Sequence, residues 1–182
     1  MNDVIEQGQY QVRFDWGGSG ARAIAGGVDV LVLVDVLGEQ PGMADSLPAG
    51  AAVVAGSLRN SAAVARWALA RQADKGDRFT VAVVAVGESR EDGELRFALE
   101  DLLGAGAIID ALAMVGIDYC SPEAAAAAAA FTGLRNATRH LIGASTTGRA
   151  MTETGARAEV DAAVERDSSD NVPVLREFST SA

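Results

Sequence analysis

At 182 residues and 49% hydrophobic content, the chain has material for one ordinary domain with a full core and too little for two of typical size. Fifteen basic against 25 acidic side chains give a net charge of -10, which excludes the basic surface that nucleic acid or an anionic membrane would require. The lone cysteine, Cys120, excludes an intrachain disulfide and a cysteine-based zinc site; Asp3 and Glu6 interrupt any leader-like apolar run, so the expected location is the cytoplasm.

Gln9 to Trp16 alternates, with Val12, Phe14 and Trp16 on one face and Gln11, Arg13 and Asp15 on the other, the period of a half-exposed strand near a sheet edge. A glycine-rich turn, Gly17 to Gly20, precedes a short helical stretch. Val28 to Val36 is a near-continuous aliphatic run of the kind buried on both faces of a parallel sheet, and Ala51 to Ala55 and Phe79 to Val86 repeat that character. Ser61 to Gln72 reads as a helix with Val64, Trp67, Ala68 and Leu69 on its apolar face, which makes a strand–helix–strand crossover unit. Leu37 to Gly50 is rich in turn formers and lacks a periodic element; a connection this bare predicts strands that pair antiparallel or are not neighbours.

From Leu95 onward the pattern is helical: Leu95 to Val115, Pro122 to Phe131, Asn136 to Ile142, Gly148 to Thr154 and Ala158 to Arg166, with Val172 to Phe178 as a returning strand. The expected fold is therefore α/β, one layered domain over residues 1–182, with a mixed, partly parallel sheet flanked by helices and a helix-rich C-terminal half.

Asp35 falls near the carboxyl end of its strand, where open α/β sheets bind ligands, and Asp29 at its start, where a structural role is expected. A carboxylate at Asp35 either closes the strand end or holds a hard cation such as Mg²⁺, which takes one or two carboxylates plus waters and phosphate oxygens. Glu100 and Asp101 point about 100° apart on a helix whose other positions are apolar, so at least one must border a cleft. Gly104 and Gly106 in the same helix cost about 1 kcal/mol each relative to alanine unless a close backbone contact offsets it. Gly87, Glu88, Ser89 and Arg90 follow a core strand at its carboxyl end and should border the same cleft. Arg59 with Asn60, and Ser145 through Arg149, precede helices; each pair of polar groups is either an N-cap or an anion site. His140, the only histidine, stands in an arginine-flanked helical segment where a surface or packing role is expected ahead of general base work. A dehalogenase-type phosphatase pattern is excluded by Leu37 where a second aspartate is needed, and no dinucleotide or nucleotide glycine loop is present.

These residues resemble the 2-phosphosulfolactate phosphatase family. The matching stretches are Val12 to Gly17, Val32 to Leu37, Val54 to Asn60 with Ala63 to Trp67, Gly87 and Glu88 through Leu95 and Arg96, Glu100 to Gly106, Thr147 to Arg149, and Asp170 to Leu175. The resemblance implies Mg²⁺-dependent hydrolysis of a small anionic phosphomonoester such as 2-phosphosulfolactate, with a place in coenzyme M biosynthesis. On that reading Asp35, Glu100 and Asp101 are catalytic, Asp35 and Asp101 bind the metal, and Arg59, Asn60, Glu88, Ser145 and Arg149 bind substrate. Neither nucleic acid nor a membrane is expected as a partner, and a homodimer is left open. The chain departs from the family pattern at Gly38 to Gly50, where a longer strand–helix segment is expected. The alternative is thus a catalytically impaired or non-catalytic homologue that binds an anion or serves as an assembly scaffold.

Overall fold

The computed structural model describes residues 6–38, 43–47 and 49–178. Its centre is a five-stranded sheet built from β1 (Val12–Trp16), β2 (Val30–Val34), β3 (Ala52–Gly56), β4 (Val81–Ala85) and β7 (Val174–Arg176), in the order β1-β4-β2-β3-β7. The first four are parallel and β7 is antiparallel to β3. β5 (Glu88–Ser89) and β6 (Leu95–Arg96) form a separate hairpin after β4.

Among the described residues eight helices accompany this sheet: α1 (Gly17–Ile24), α2 (Met43–Ser46), α3 (Ser61–Lys75), α4 (Leu99–Met114), α5 (Pro122–Leu134), α6 (Thr138–Ala144), α7 (Thr146–Glu153) and α8 (Arg157–Ala163). The strands β2 and β4 are buried at every position because both faces are roofed. Val30, Val32, Val34, Val81 and Val83 pack with Val64 of α3, Leu103, Ile108 and Leu112 of α4 and Phe131 of α5. Leu31, Leu33, Ala82 and Val84 face the opposite way, onto Ala21 and Ile24 of α1 and Ala44 of α2. The α/β layering, the mixed sheet and the helix-rich second half agree with the sequence.

Several local expectations are corrected. The polar face of β1 is not solvated: Arg13 is buried under α1 and the residues before β1, and Gln11 is buried against α3 and the start of β4, donating to Gln72 Oε1 at 2.9 Å and to Phe79 O at 3.1 Å. Arg13 donates to the carbonyls of Ile24 and Gly26 at 2.8 Å each, and to Gly8 and Tyr10, so its charge rests on the carboxyl-terminal end of α1. Burial pushes its guanidinium below the usual arginine range. The glycines Gly17 to Gly20 are the first turn of α1 rather than a preceding loop. The segment at Leu95 and Arg96 is the second strand of the hairpin, so α4 begins only at Leu99.

The bare connection also behaves otherwise than expected: β2 and β3 are adjacent and parallel. The 17 residues from 35 to 51 can return the chain along a five-residue strand, with the four-residue α2 as the crossover element among the described residues. The carboxyl-terminal strand helps to fix it, since Arg176 donates to Ala44 O and Leu47 O at 3.0 Å each.

Gly104 and Gly106 answer to two different neighbours. A Cβ on Gly104 would lie 2.7 Å from Val36 Cγ2 and 2.9 Å from Val34 Cγ1, so this glycine lets α4 lie flush on the end of β2. A Cβ on Gly106 would fall on the Ala127 carbonyl and 2.7 Å from Phe131 Cβ, so that glycine sets the close crossing of α4 and α5.

Candidate active site

The chain leaves β2 toward α2 on one face of the sheet and leaves β4 toward α4 on the other. Diverging connections open a crevice between the carboxyl ends of the two strands, which is where open α/β sheets hold ligands. Here it is a cleft of about 640 Å³, a size suited to a small organic ligand.

Asp35 lies directly after β2 and lines this cleft, with its Oδ1 accepting the Gly38 N–H at 2.7 Å. Gly38 must be small: a Cβ there would meet Asp35 Oδ2 at 2.5 Å. Glu100 and Asp101, in the first turn of α4, line the same cleft, and both are buried, 3% and 2% exposed. Asp101 Oδ1 accepts the Val36 N–H at 2.8 Å and its Oδ2 accepts the Gly87 N–H at 2.9 Å. It thereby bridges the ends of β2 and β4. Burial pushes the Asp101 carboxyl up to about 7; the Val36 N–H pulls it back, the Asp35 charge raises it, the Gly87 N–H lowers it and Glu100 raises it. Glu100 makes no hydrogen bond among the described residues, so its carboxylate is available to the cleft. Glu88 also lines the cleft and is ion-paired across the hairpin with Arg96.

The residues read as phosphate ligands lie elsewhere. Asn60 is buried away from the cleft: its Oδ1 accepts the Ser57 N–H at 2.8 Å and its Nδ2 donates to Ala55 O and Asn171 O. This amide closes a capping box around the 3-10 turn Leu58–Asn60 and fastens the carboxyl-terminal segment to it. Arg59 is exposed and donates to Ser168 Oγ at 3.3 Å. Ser145 caps α7 by accepting the Gly148 N–H at 3.1 Å, and the exposed Arg149 approaches Glu153 at 3.9 Å. None of the four is part of the cleft lining. Asp29 has the structural role expected of it, accepting Lys75 Nζ at 2.7 Å and the Thr80 N–H.

What the cleft holds instead is Gly17, Gly18 and Ser19 with Arg22, all from α1, and Thr147 from α7. The first turn of α1 has no side-chain cap, so its N–H groups are free of one, and a Cβ on Gly18 would stand 3.4 Å from Arg22 Nη1. Thr147 Oγ1 is buried with no hydrogen-bond partner among the described residues. The sequence signal for this part was the glycine run itself, read as a turn; a glycine run opening a helix directly after a parallel strand is an anion-binding arrangement. The donor set that remains is all oxygen, from Asp35, Glu100 and Asp101, which suits a hard cation. Each Asp101 oxygen spends one lone pair on a backbone N–H and keeps another. Among the described residues no group of three His, Cys, Asp or Glu side chains converges closely enough to hold a metal alone, a pattern compatible with Mg²⁺, which keeps waters and takes substrate oxygens.

Fold and cleft together define a doubly wound α/β protein with an acidic site at its topological switch point. The model of the 2-phosphosulpholactate phosphatase family matches residues 43–177, about three quarters of the chain, and the protein belongs to that family. A search of curated proteins gave no match. Among the described residues no helix is long and apolar enough to cross a membrane.

Proposed function

We propose that this protein is a Mg²⁺-dependent phosphatase that hydrolyses a small phosphomonoester of the 2-phosphosulfolactate type, releasing the hydroxy acid and phosphate. The observation that carries the reading is the meeting of Asp35, Glu100 and Asp101 with Arg22 and the uncapped first turn of α1 in one cleft of a phosphatase-family chain.

In this reading Gly17, Gly18 and Ser19 present N–H groups to the phosphoryl oxygens and Arg22 neutralises their charge. Asp35 and Asp101 are the residues that would hold Mg²⁺, which when bound supplies Lewis acidity and opposes the phosphate charge. Glu100, buried beside them without a hydrogen-bond partner among the described residues, accepts the proton of the attacking water. The ester P–O bond breaks as the water oxygen bonds to phosphorus, and the leaving alkoxide oxygen takes up a proton from solvent or from the protonated Glu100 to become the hydroxyl of the product. Asp101 also fixes the relative position of Val36 and Gly87, and hence of the loops carrying Asp35 and Glu88.

A second reading, a catalytically impaired homologue that retains anion binding, is favoured by the short connection from β2 to β3, 17 residues in which the described part carries the four-residue α2. Phosphate release from 2-phosphosulfolactate, measured with and without Mg²⁺ and in the Asp35→Asn variant, separates the two. Mg²⁺-dependent turnover that this substitution removes supports the phosphatase. Absence of turnover in a folded native protein that still binds phosphate supports the impaired homologue.

A further inference from the structure

Outside the acidic cleft, a second cavity of about 420 Å³ is lined by Leu58, Phe131, Arg135, Asn136, Thr138, Arg139, Val164 and Arg166. Three arginines and no acidic side chain line it, in a chain whose net charge is -10. Its floor is apolar and rigid: Leu58 and Phe131 are buried in the main core. Arg166 lies over the Phe131 ring at 5.6 Å from the centroid.

Helix dipoles explain part of this cluster. Arg135 follows the end of α5 and Arg166 lies beyond the end of α8, where cations are favoured. Arg139, however, stands in the first turn of α6, where a cation is disfavoured. Asp161 pairs with Arg139 at 3.2 Å and the partly buried side chain of Asp167 with Arg166 at 3.1 Å, but neither carboxylate lines the cavity, and the exposed Arg139 pair is weak enough to exchange for a better anion. Arg135 is exposed and has no ion pair or hydrogen bond among the described residues.

We propose that this cavity is a binding site for a small organic oxyanion: a phosphonate, phosphate, sulfonate or carboxylate held by Arg135, Arg139 and Arg166, with a short apolar or aromatic group resting on Phe131, Leu58 and Val164. The fork geometry of guanidinium suits two-point recognition of such a head group, and a half-apolar lining suits a ligand with a tail better than a bare ion. The site is independent of the acidic cleft, because no residue is shared between the two linings.

The test is calorimetric titration of the native protein with phenylphosphonate and with inorganic phosphate at low ionic strength, repeated on Arg135→Gln, Arg139→Gln and Arg22→Gln. Phenylphosphonate is expected to bind more tightly than phosphate, and each of the first two substitutions to weaken it about tenfold, the effect of losing one charge-assisted contact. Arg22→Gln is expected to affect only binding in the acidic cleft and to leave in place the component that depends on Arg135 and Arg139. Arg135→Gln removes a side chain with no partner among the described residues, so its fold is not at stake, and matched thermal unfolding confirms that. No saturable binding to the native protein overturns the proposal. So does binding lost in Arg22→Gln and kept in Arg135→Gln, which places the ligand in the acidic cleft. Tighter binding of a polyglutamate peptide than of phenylphosphonate also overturns it, since it shows a surface for acidic chains rather than a small-molecule site.

Discussion

Asp101 and Val36 are 65 positions apart in sequence, yet the Val36 N–H donates to Asp101 Oδ1 at 2.8 Å inside the core. Because the second carboxylate oxygen takes the Gly87 N–H, the first turn of α4 is laced to the ends of both β2 and β4. The same side chain that borders the cleft therefore holds its two walls in register.

That position has a cost that pH exposes. With the folded carboxyl at about 7 and the ordinary value at 3.8, Asp101 contributes nothing to the stability difference below pH about 4, where it is protonated in both states. As pH rises toward 7 the unfolded chain releases its proton first, so stability falls, by about 4 kcal/mol at most, and then levels. Asp101→Asn removes that dependence but turns an amide donor toward one of the two N–H groups, which costs about 1–3 kcal/mol. Urea unfolding at pH 5 and pH 8, without metal, is expected to show the native protein ahead at pH 5 and its advantage shrinking or reversing at pH 8. An advantage independent of pH would contradict the burial of this charge.

Alanine is the better helix former, yet Gly106→Ala should destabilise the protein. The added methyl meets the Ala127 carbonyl, and separating α4 from α5 costs about 1–3 kcal/mol, more than the roughly 1 kcal/mol gained in propensity. Gly104→Ala should cost less, because Val34 and Val36 side chains can turn where a backbone carbonyl cannot. Denaturant midpoints of the two variants give the order; a higher midpoint for Gly106→Ala would refute the packing account.

Asp167 caps α3 from a distant loop, accepting the Ser61 hydroxyl at 2.7 Å and the Ala62 N–H at 2.8 Å, with φ of 50°. Although its partial burial opposes ionisation, the bonds from Ala62 and Ser61 and the nearby Arg166 hold its carboxyl below the usual range. The stability it provides is present above the ordinary carboxylate pKa and is lost as pH falls through the depressed one. Asp167→Ala should cost about 1–2 kcal/mol at pH 7, and Asp167→Asn less, since asparagine both accepts a hydrogen bond and tolerates left-handed backbone. Equal losses in the two variants would show that the cap is not what the residue supplies.

For turnover, Arg22→Gln is expected to lower kcat/KM for 2-phosphosulfolactate by about 10² to 10³, the usual loss for a charge-stabilising donor, while Arg149→Gln leaves it unchanged. Steady-state phosphate release decides this. The reverse ranking would move the phosphate from the α1 turn to the α7 end of the protein.

The sequence by itself determined the layers and the acids. Aliphatic runs at Val28 to Val36 and Phe79 to Val86 can only be strands roofed on both faces, and two carboxylates in an apolar helix can only border a cavity, because burial and period are properties of local sequence. Tertiary structure alone decided which cations face those acids. Arg59, Asn60, Ser145 and Arg149 carry suitable chemistry but are directed into caps or solvent, whereas Gly17 to Ser19, which read as a plain turn, and Arg22, in the helical stretch after it, are brought to the cleft by the pairing of β1 with β4. The parallel pairing of β2 with β3 was hidden for the same reason: strand neighbours are set by long-range burial and by clamps such as Arg176 on Ala44 and Leu47, and no local pattern in a 17-residue connection records them.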